Sequence, residues 1–193
     1  MPNKIKYGLK NVYYAVATIA ADGSATYDTP VALPGAVSIS LEPQGENTPF
    51  YADNIVYWVG AANNGYSGDL EMARFSDAFK ADVLGYIQSG NGLSVENANA
   101  EAIHFALMFQ FEGDVKATRH VMYNCTATRP SAAGTTKGEN VEPETETVTV
   151  TATTIYVDAL DTDIVKSETN ENTSSTVYDA WFSAVTLPTA PTP

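Results

Sequence analysis

Hydrophobic and polar residues alternate with a period of two along much of this chain, the mark of half-buried strands. Val12, Tyr14 and Val16 alternate with Tyr13, Ala15 and Ala17, so both faces are apolar and a strand covered on both sides is expected. Asp22-Gly23 signals a turn, and Pro30 and Pro34-Gly35 break the next segment. Val37, Ile39 and Leu41 then alternate with Ser38, Ser40 and Glu42, giving one dry and one wet face. The clearest pair follows later. Ile103, Phe105, Leu107, Phe109 and Phe111 share one face, and Glu112-Gly113-Asp114 turns the chain. Val115, Ala117, Arg119, Val121, Tyr123 and Cys125 form one face of the return strand. This hairpin is expected at the centre of the sheet.

Other segments break the alternation. Residues 43–53 hold Pro43, Gly45, Glu46, Asn47 and Pro49, and read as an irregular protruding loop carrying the adjacent aromatics Phe50 and Tyr51. A strand resumes over 54–59, and Asn63-Asn64-Gly65 turns it back. Phe79, Val83 and Ile87 recur at helical spacing behind an N-cap at Ser76, so one amphipathic helix is expected over 76–87, stopped by Ser89-Gly90-Asn91-Gly92. Residues 130–143 read as a loop. From residue 144 a strand follows with Thr145, Thr147, Thr149, Thr151 and Thr153 on one face and Val148, Val150 and Ala152 on the other. A polar run over 167–175 reads as loop, and Trp181 and Phe182 mark a return to packed structure within 177–185.

The chain has 193 residues and 44% hydrophobic composition, enough for one core. A single domain over 1–193 is expected, mainly β. Its net charge of −13 opposes ordinary nucleic-acid binding, which needs surface Lys and Arg against phosphate. The charge is unevenly placed. Lys4, Lys6 and Lys10 make a basic arm over 1–11, and no acid occurs in the first twenty residues. The segment 138–193 is acidic, with Lys166 its only cation. These two regions are suited to meet between copies of the chain. No secretory signal is read at the start, and no run reaches the ~20 apolar residues of a membrane-spanning helix.

Little points to catalysis. There is no phosphate-binding P-loop, dinucleotide fingerprint or Gly-x-Ser-x-Gly elbow. The only histidines, His104 and His120, fall on the wetter faces of the central hairpin. Glu101 and His104 are three apart, which in a strand sends them to opposite faces. Asp158, Asp161 and Asp163 lack the glycine and closing glutamate of a calcium loop, and read as an acidic turn. Cys125 reads as a small buried apolar residue. No catalytic, cofactor-binding or metal residue is assigned. Trp58, Tyr57 and Tyr66 leave a second reading open: a carbohydrate- or protein-binding β-sandwich module on a surface.

Several blocks carry a family resemblance. They are Lys4-Ile5-Lys6-Tyr7-Gly8-Leu9-Lys10-Asn11-Val12-Tyr13-Tyr14-Ala15, Gly35-Ala36-Val37-Ser38-Ile39-Ser40-Leu41-Glu42-Pro43-Gln44-Gly45-Glu46 and Pro49-Phe50-Tyr51-Ala52-Asp53-Asn54. Gly65-Tyr66-Ser67-Gly68-Asp69-Leu70-Glu71 and Phe109-Gln110-Phe111-Glu112-Gly113-Asp114 add to them. In these blocks the chain resembles the phi13-type major tail proteins of long-tailed phages of Gram-positive hosts. That resemblance implies a β-sandwich or barrel-like tail-tube fold with one flanking α-helix and a long inter-ring loop. It implies a virion subunit, assembled in the host cytoplasm, that forms stacked rings of six around a DNA channel. Its partners would be further copies and tail components such as tape measure and terminator proteins. DNA would pass without specific binding, and no membrane or cofactor is implied. The inter-ring loop would supply Gln44, Glu46, Asn47, Pro49, Phe50, Tyr51 and Asp53, and the arm Lys4, Lys6 and Lys10. The Thr-rich strand and the strand over 116–128 are the candidates to face the channel.

Overall fold

The doubly apolar stretch at Val12–Ala17 forms the middle of a long strand, β1 (Lys6–Ile19), buried on both sides as its pattern requires. The computed structural model describes residues 3–136 and 143–191. After β1 come β2 (Ala25–Tyr27), β3 (Val31–Ala32) and β4 (Ala36–Pro43), then β5 (Asn47–Ala52), β6 (Ile55–Ala61) and β7 (Tyr66–Met72). Helix α1 (Asp77–Asp82) and the short β8 (Ile87–Gln88) and β9 (Ser94–Val95) lead to the central hairpin, β10 (Phe105–Gly113) and β11 (Thr118–Ala127). The chain continues through β12 (Glu146–Thr153), β13 (Ile155–Val157), β14 (Thr162–Ile164), β15 (Lys166–Glu168) and helix α2 (Ser175–Ala180).

The main sheet is antiparallel and runs β2-β1-β10-β11-β12-β7-β4, with β3 on β1 and β15 on β11. Its central strands feed two cores. Phe105, Leu107 and Phe109 join Tyr14, Leu70, Val150, Phe79 of α1 and Val83 just after it in one. Ala106, Met108, Val121 and Tyr123 join Ala15, Ile155, Val157 and Trp181 in the other. The fold is mainly β, as expected, and the central hairpin is where the alternation placed it.

Four local expectations are corrected. First, α1 ends at Asp82 instead of running to residue 87. Ser76 caps it through its hydroxyl, which accepts the Phe79 N–H at 3.2 Å, but Gly85 takes φ +69 and turns the chain away. Ile87 therefore leaves the apolar stripe and lies exposed in β8. Second, Cys125 does not share the face of Val121 and Tyr123. Phe105 pairs with Cys125 and Leu107 with Met122, so β11 carries one extra residue and the face flips. Third, two helices occur instead of one: the 167–175 run ends in the cap Ser174, whose hydroxyl accepts the Val177 N–H, and α2 follows. Fourth, residues 47–52 are a strand and not an irregular loop. The sequence expectations for residues 137–142 lie outside the described residues.

Gly68 shows how tightly the outer wing is drawn together. It lies in β7 between β4 and β12, and a Cβ there would sit 1.9 Å from the carbonyl oxygen of Ser40. No flexible side chain is present to move aside. Gly68→Ala is expected to lower stability by roughly 1–3 kcal/mol, the range for forced overpacking, readable as a shifted urea midpoint at unchanged m-value.

Candidate assembly surfaces

The segment expected as a protruding loop is half of a β-hairpin that stands off the main sheet. β5 and β6 pair only with each other among the described residues. The turn is made by Asp53 and Asn54, both at positive φ (51° and 62°), which are among the few non-glycine residues that tolerate this region. Pro49 is accommodated because an isolated two-stranded hairpin has outer edges that need no ladder donor. At the neck, Gln44 donates its N–H to the Gly65 carbonyl at 2.8 Å and accepts from Asn64 at 2.9 Å.

This hairpin is apolar on both faces. Phe50 pairs with Trp58, and Pro49 with Val59 on the opposite face. An extra residue at Tyr57 then shifts the register, so Tyr51 meets Val56 and Ala52 meets Ile55. Phe50 is 59% exposed, Tyr51 and Trp58 each 62%, and Tyr57 71%. Of the other residues expected in the loop, Glu46, Asn47, Pro49 and Asp53 are exposed as well. Ile55, Val56, Tyr57, Trp58 and Val59 were read only as a strand, yet they belong to the same surface. Their signal was present: five consecutive apolar residues directly after a two-residue turn. An exposed apolar patch of this kind marks an interaction surface.

The basic start of the chain is part of the sheet. Lys6 and Lys10 lie within β1, which pairs with β10 from Lys6 onward. Lys10 bonds Glu112 of its own chain at 2.6 Å, and Lys6 lies over the Phe111 ring at 5.0 Å. Lys4 donates its backbone N–H to Asp114 at 2.8 Å, leaving its exposed side chain free for other partners.

A third surface lies on the outer face of β12, β7 and β4. Register puts Thr147, Glu71 and Ser38 in one row, Thr149, Asp69 and Ser40 in the next, and Thr151, Ser67 and Glu42 in a third. These nine positions hold hydroxyls and carboxylates with no cation. Thr149 donates to Asp69 at 2.9 Å, and Thr145 and Ser38 donate to Glu71 at 2.6 and 2.7 Å. Those two hydroxyls hold the Glu71 carboxyl below its ordinary range, so the face stays anionic. The strand over 116–128 differs, because β11 is buried on both sides at Val121–Cys125.

The residues weighed for chemistry do not converge. His104 Nδ1 lies 2.7 Å from Asn124 Oδ1, whereas His120 is stacked on Phe109 at 5.1 Å and 3.2 Å from Glu168. His120 is thus enclosed by aromatic rings and not on a wet face. Among the described residues, no group of three His, Cys, Asp or Glu is placed to hold a metal. Burial pushes the Cys125 thiol up to about 12, which keeps it un-ionised and unreactive. Tyr57 and Trp58 project on the hairpin while Tyr66 packs against the first core.

A family model described as "Phage tail tube protein" matches residues 2–186, nearly the whole chain. The chain belongs to the phage tail tube protein family. No curated protein matches it. It is accordingly a structural tail tube subunit and a component of the virion tail. No helix among the described residues is long and apolar enough to cross a membrane.

His120 gives this tail tube subunit a pH dependence. Burial lowers its pKa, and this outweighs the opposing pull of Glu168. The unfolded chain then takes up a proton before the folded one does. Stability is full above the unfolded value of about 6.5 and falls as pH drops from there toward the depressed folded value. Chemical denaturation between pH 7.5 and 5 is expected to show that decline, and His120→Asn is expected to flatten it.

Proposed function

We propose that this chain builds the conduit of a long, non-contractile tail by stacking, as hexameric rings, into a tube through which the genome is delivered. The carrying observation is the β5–β6 hairpin, whose two apolar faces stand in solvent in a lone subunit. A soluble protein with this surface gains most by burying it against copies of itself. In this reading the hairpin bridges adjacent rings through Phe50 and Tyr51, with Gln44, Glu46, Asn47, Pro49 and Asp53 around them. Lys4, Lys6 and Lys10 meet an acidic neighbour.

The polar face of β12, β7 and β4 is proposed to line the bore. Carboxylates and hydroxyls without cations repel phosphate, so DNA slides without specific binding. β11 is the weaker of the two sequence candidates for the bore because both its faces are already buried. Tape measure and terminator proteins would be the partners inside and at the end of the tube, and assembly would take place in the host cytoplasm.

Negative-stain electron microscopy of the concentrated protein, alone and with a tail-tip extract as nucleus, tests this. Hollow tubes of uniform width are expected. A persistent monomer with measurable affinity for a glycan array would instead support a surface carbohydrate-binding module.

A further inference from the structure

The chain holds two Asn-Gly dipeptides, Asn64-Gly65 and Asn91-Gly92, and the fold treats them differently. In such a pair the glycine nitrogen can attack the preceding asparagine side chain, because no Cβ blocks the approach. The first dipeptide is pinned at the neck of the β5–β6 hairpin. Asn64 donates its N–H to the Gln44 carbonyl at 2.9 Å, Gly65 donates its N–H to Asn63 Oδ1 at 3.1 Å, and the Gly65 carbonyl accepts the Gln44 N–H at 2.8 Å. Gly65 is buried, and a Cβ there would lie 1.9 Å from the Ala152 carbonyl oxygen, so the backbone has no room to swing.

Asn91-Gly92 sits in the turn between β8 and β9, which among the described residues pair only with each other. Asn91 and Gly92 are both exposed, and a Cβ built at Gly90 or Gly92 would meet nothing within 4 Å. The Gly92 N–H donates to the Ser89 carbonyl at 2.9 Å. A ribbon of two short strands is marginal, so this bond opens at little cost. Ser89 also primes the side chain. Its hydroxyl is held by accepting the Leu93 N–H at 3.0 Å. The Leu93 carbonyl already accepts the Ser89 N–H at 2.8 Å, which leaves the hydroxyl proton to be donated to Asn91 Oδ1. A donor at that oxygen stabilises the charge that develops there when Cγ is attacked.

We propose that Asn91 is a site of spontaneous covalent modification, converting to aspartate and isoaspartate through a ring closed with Gly92. The Gly92 nitrogen gives up its proton and bonds to Asn91 Cγ. The Cγ–Nδ2 bond breaks, and the side-chain nitrogen takes up a proton and leaves as ammonia. Water then adds to one of the two carbonyls of the succinimide. Breaking the ring bond at Cγ gives aspartate, and breaking it at the backbone carbonyl gives isoaspartate. Either product adds one negative charge to a chain already at −13, in a turn flanked by the exposed Ile87, Leu93 and Val95. Isoaspartate also lengthens the backbone at the turn by one carbon. The inference does not depend on the tube reading.

The test is incubation of the folded protein in mildly alkaline buffer made with heavy-oxygen water, followed by peptide mass spectrometry. The peptide holding Asn91 is expected to lose ammonia and gain heavy oxygen at least ~10-fold faster than the peptide holding Asn64. In guanidinium, where neither turn exists, the two sites are expected to react at similar rates. Asn91→Gln is expected to stay folded by circular dichroism and to abolish the change in its own peptide alone. An unmodified Asn91 peptide in the folded protein, or equal rates at the two sites before unfolding, would overturn the assignment.

Discussion

A chain carrying Phe50→Ala and Tyr51→Ala is expected to stay folded and soluble while its tube yield falls by at least ~10-fold. Both side chains are more than half exposed, and among the described residues β5 pairs with β6 alone, so the main sheet keeps its pairing when they are cut back. Surface truncations of this sort usually change stability by less than about 0.5 kcal/mol. In an assembled tube the same rings would be interface anchors, where one truncation commonly costs about 2 kcal/mol or more. Thermal unfolding of the purified subunit and tube counts by electron microscopy separate the two effects. Unaltered tube counts would remove the hairpin from the inter-ring contact.

The opposite pattern is expected of Phe79→Ala. Phe79 is completely buried where α1 meets the sheet, 5.0 Å from the Phe75 ring, 5.2 Å from Tyr14 and 6.0 Å from Phe105. Removing it strips three ring contacts and leaves a cavity that neither the strands nor the short helix can close. A loss of about 3–5 kcal/mol is expected, a large share of the ~5–15 kcal/mol that holds a typical domain together. Urea unfolding monitored by far-ultraviolet circular dichroism measures it. Phe79→Leu, which keeps most of the volume, is expected to lose less than half as much. Equal losses in the two variants would mean that the ring packing at α1 matters more than its apolar volume.

The central strands were legible because their period-two pattern is physically over-determined. A one-residue slip in β10 would turn Phe105, Leu107 and Phe109 away from α1 and bury the wrong set. The bulge in β11 was not legible: Val121, Tyr123 and Cys125 keep the alternation in sequence, while the extra residue that flips Cys125 shows only in the pairing. The assembly hairpin was half legible. Pro49 and the polar residues before it look like breakers, but they sit on an isolated hairpin with no further strands to satisfy. Asp53-Asn54 is a two-residue turn signal in its own right. The uneven charge along the sequence was plain, but only the fold shows that Glu112 and Asp114 lie with the lysines of the arm.

The pairing of Tyr14 with Leu107 has a consequence for synthesis. During translation β1 leaves the ribosome long before β10 exists, and the sticky hairpin over 47–61 emerges in between. A nascent chain thus displays its adhesive element before its scaffold can form, and long-range pairings of this kind close slowly. Cells making many copies at once are expected to need either a chaperone for that interval or a rate of synthesis low enough to keep half-made chains apart.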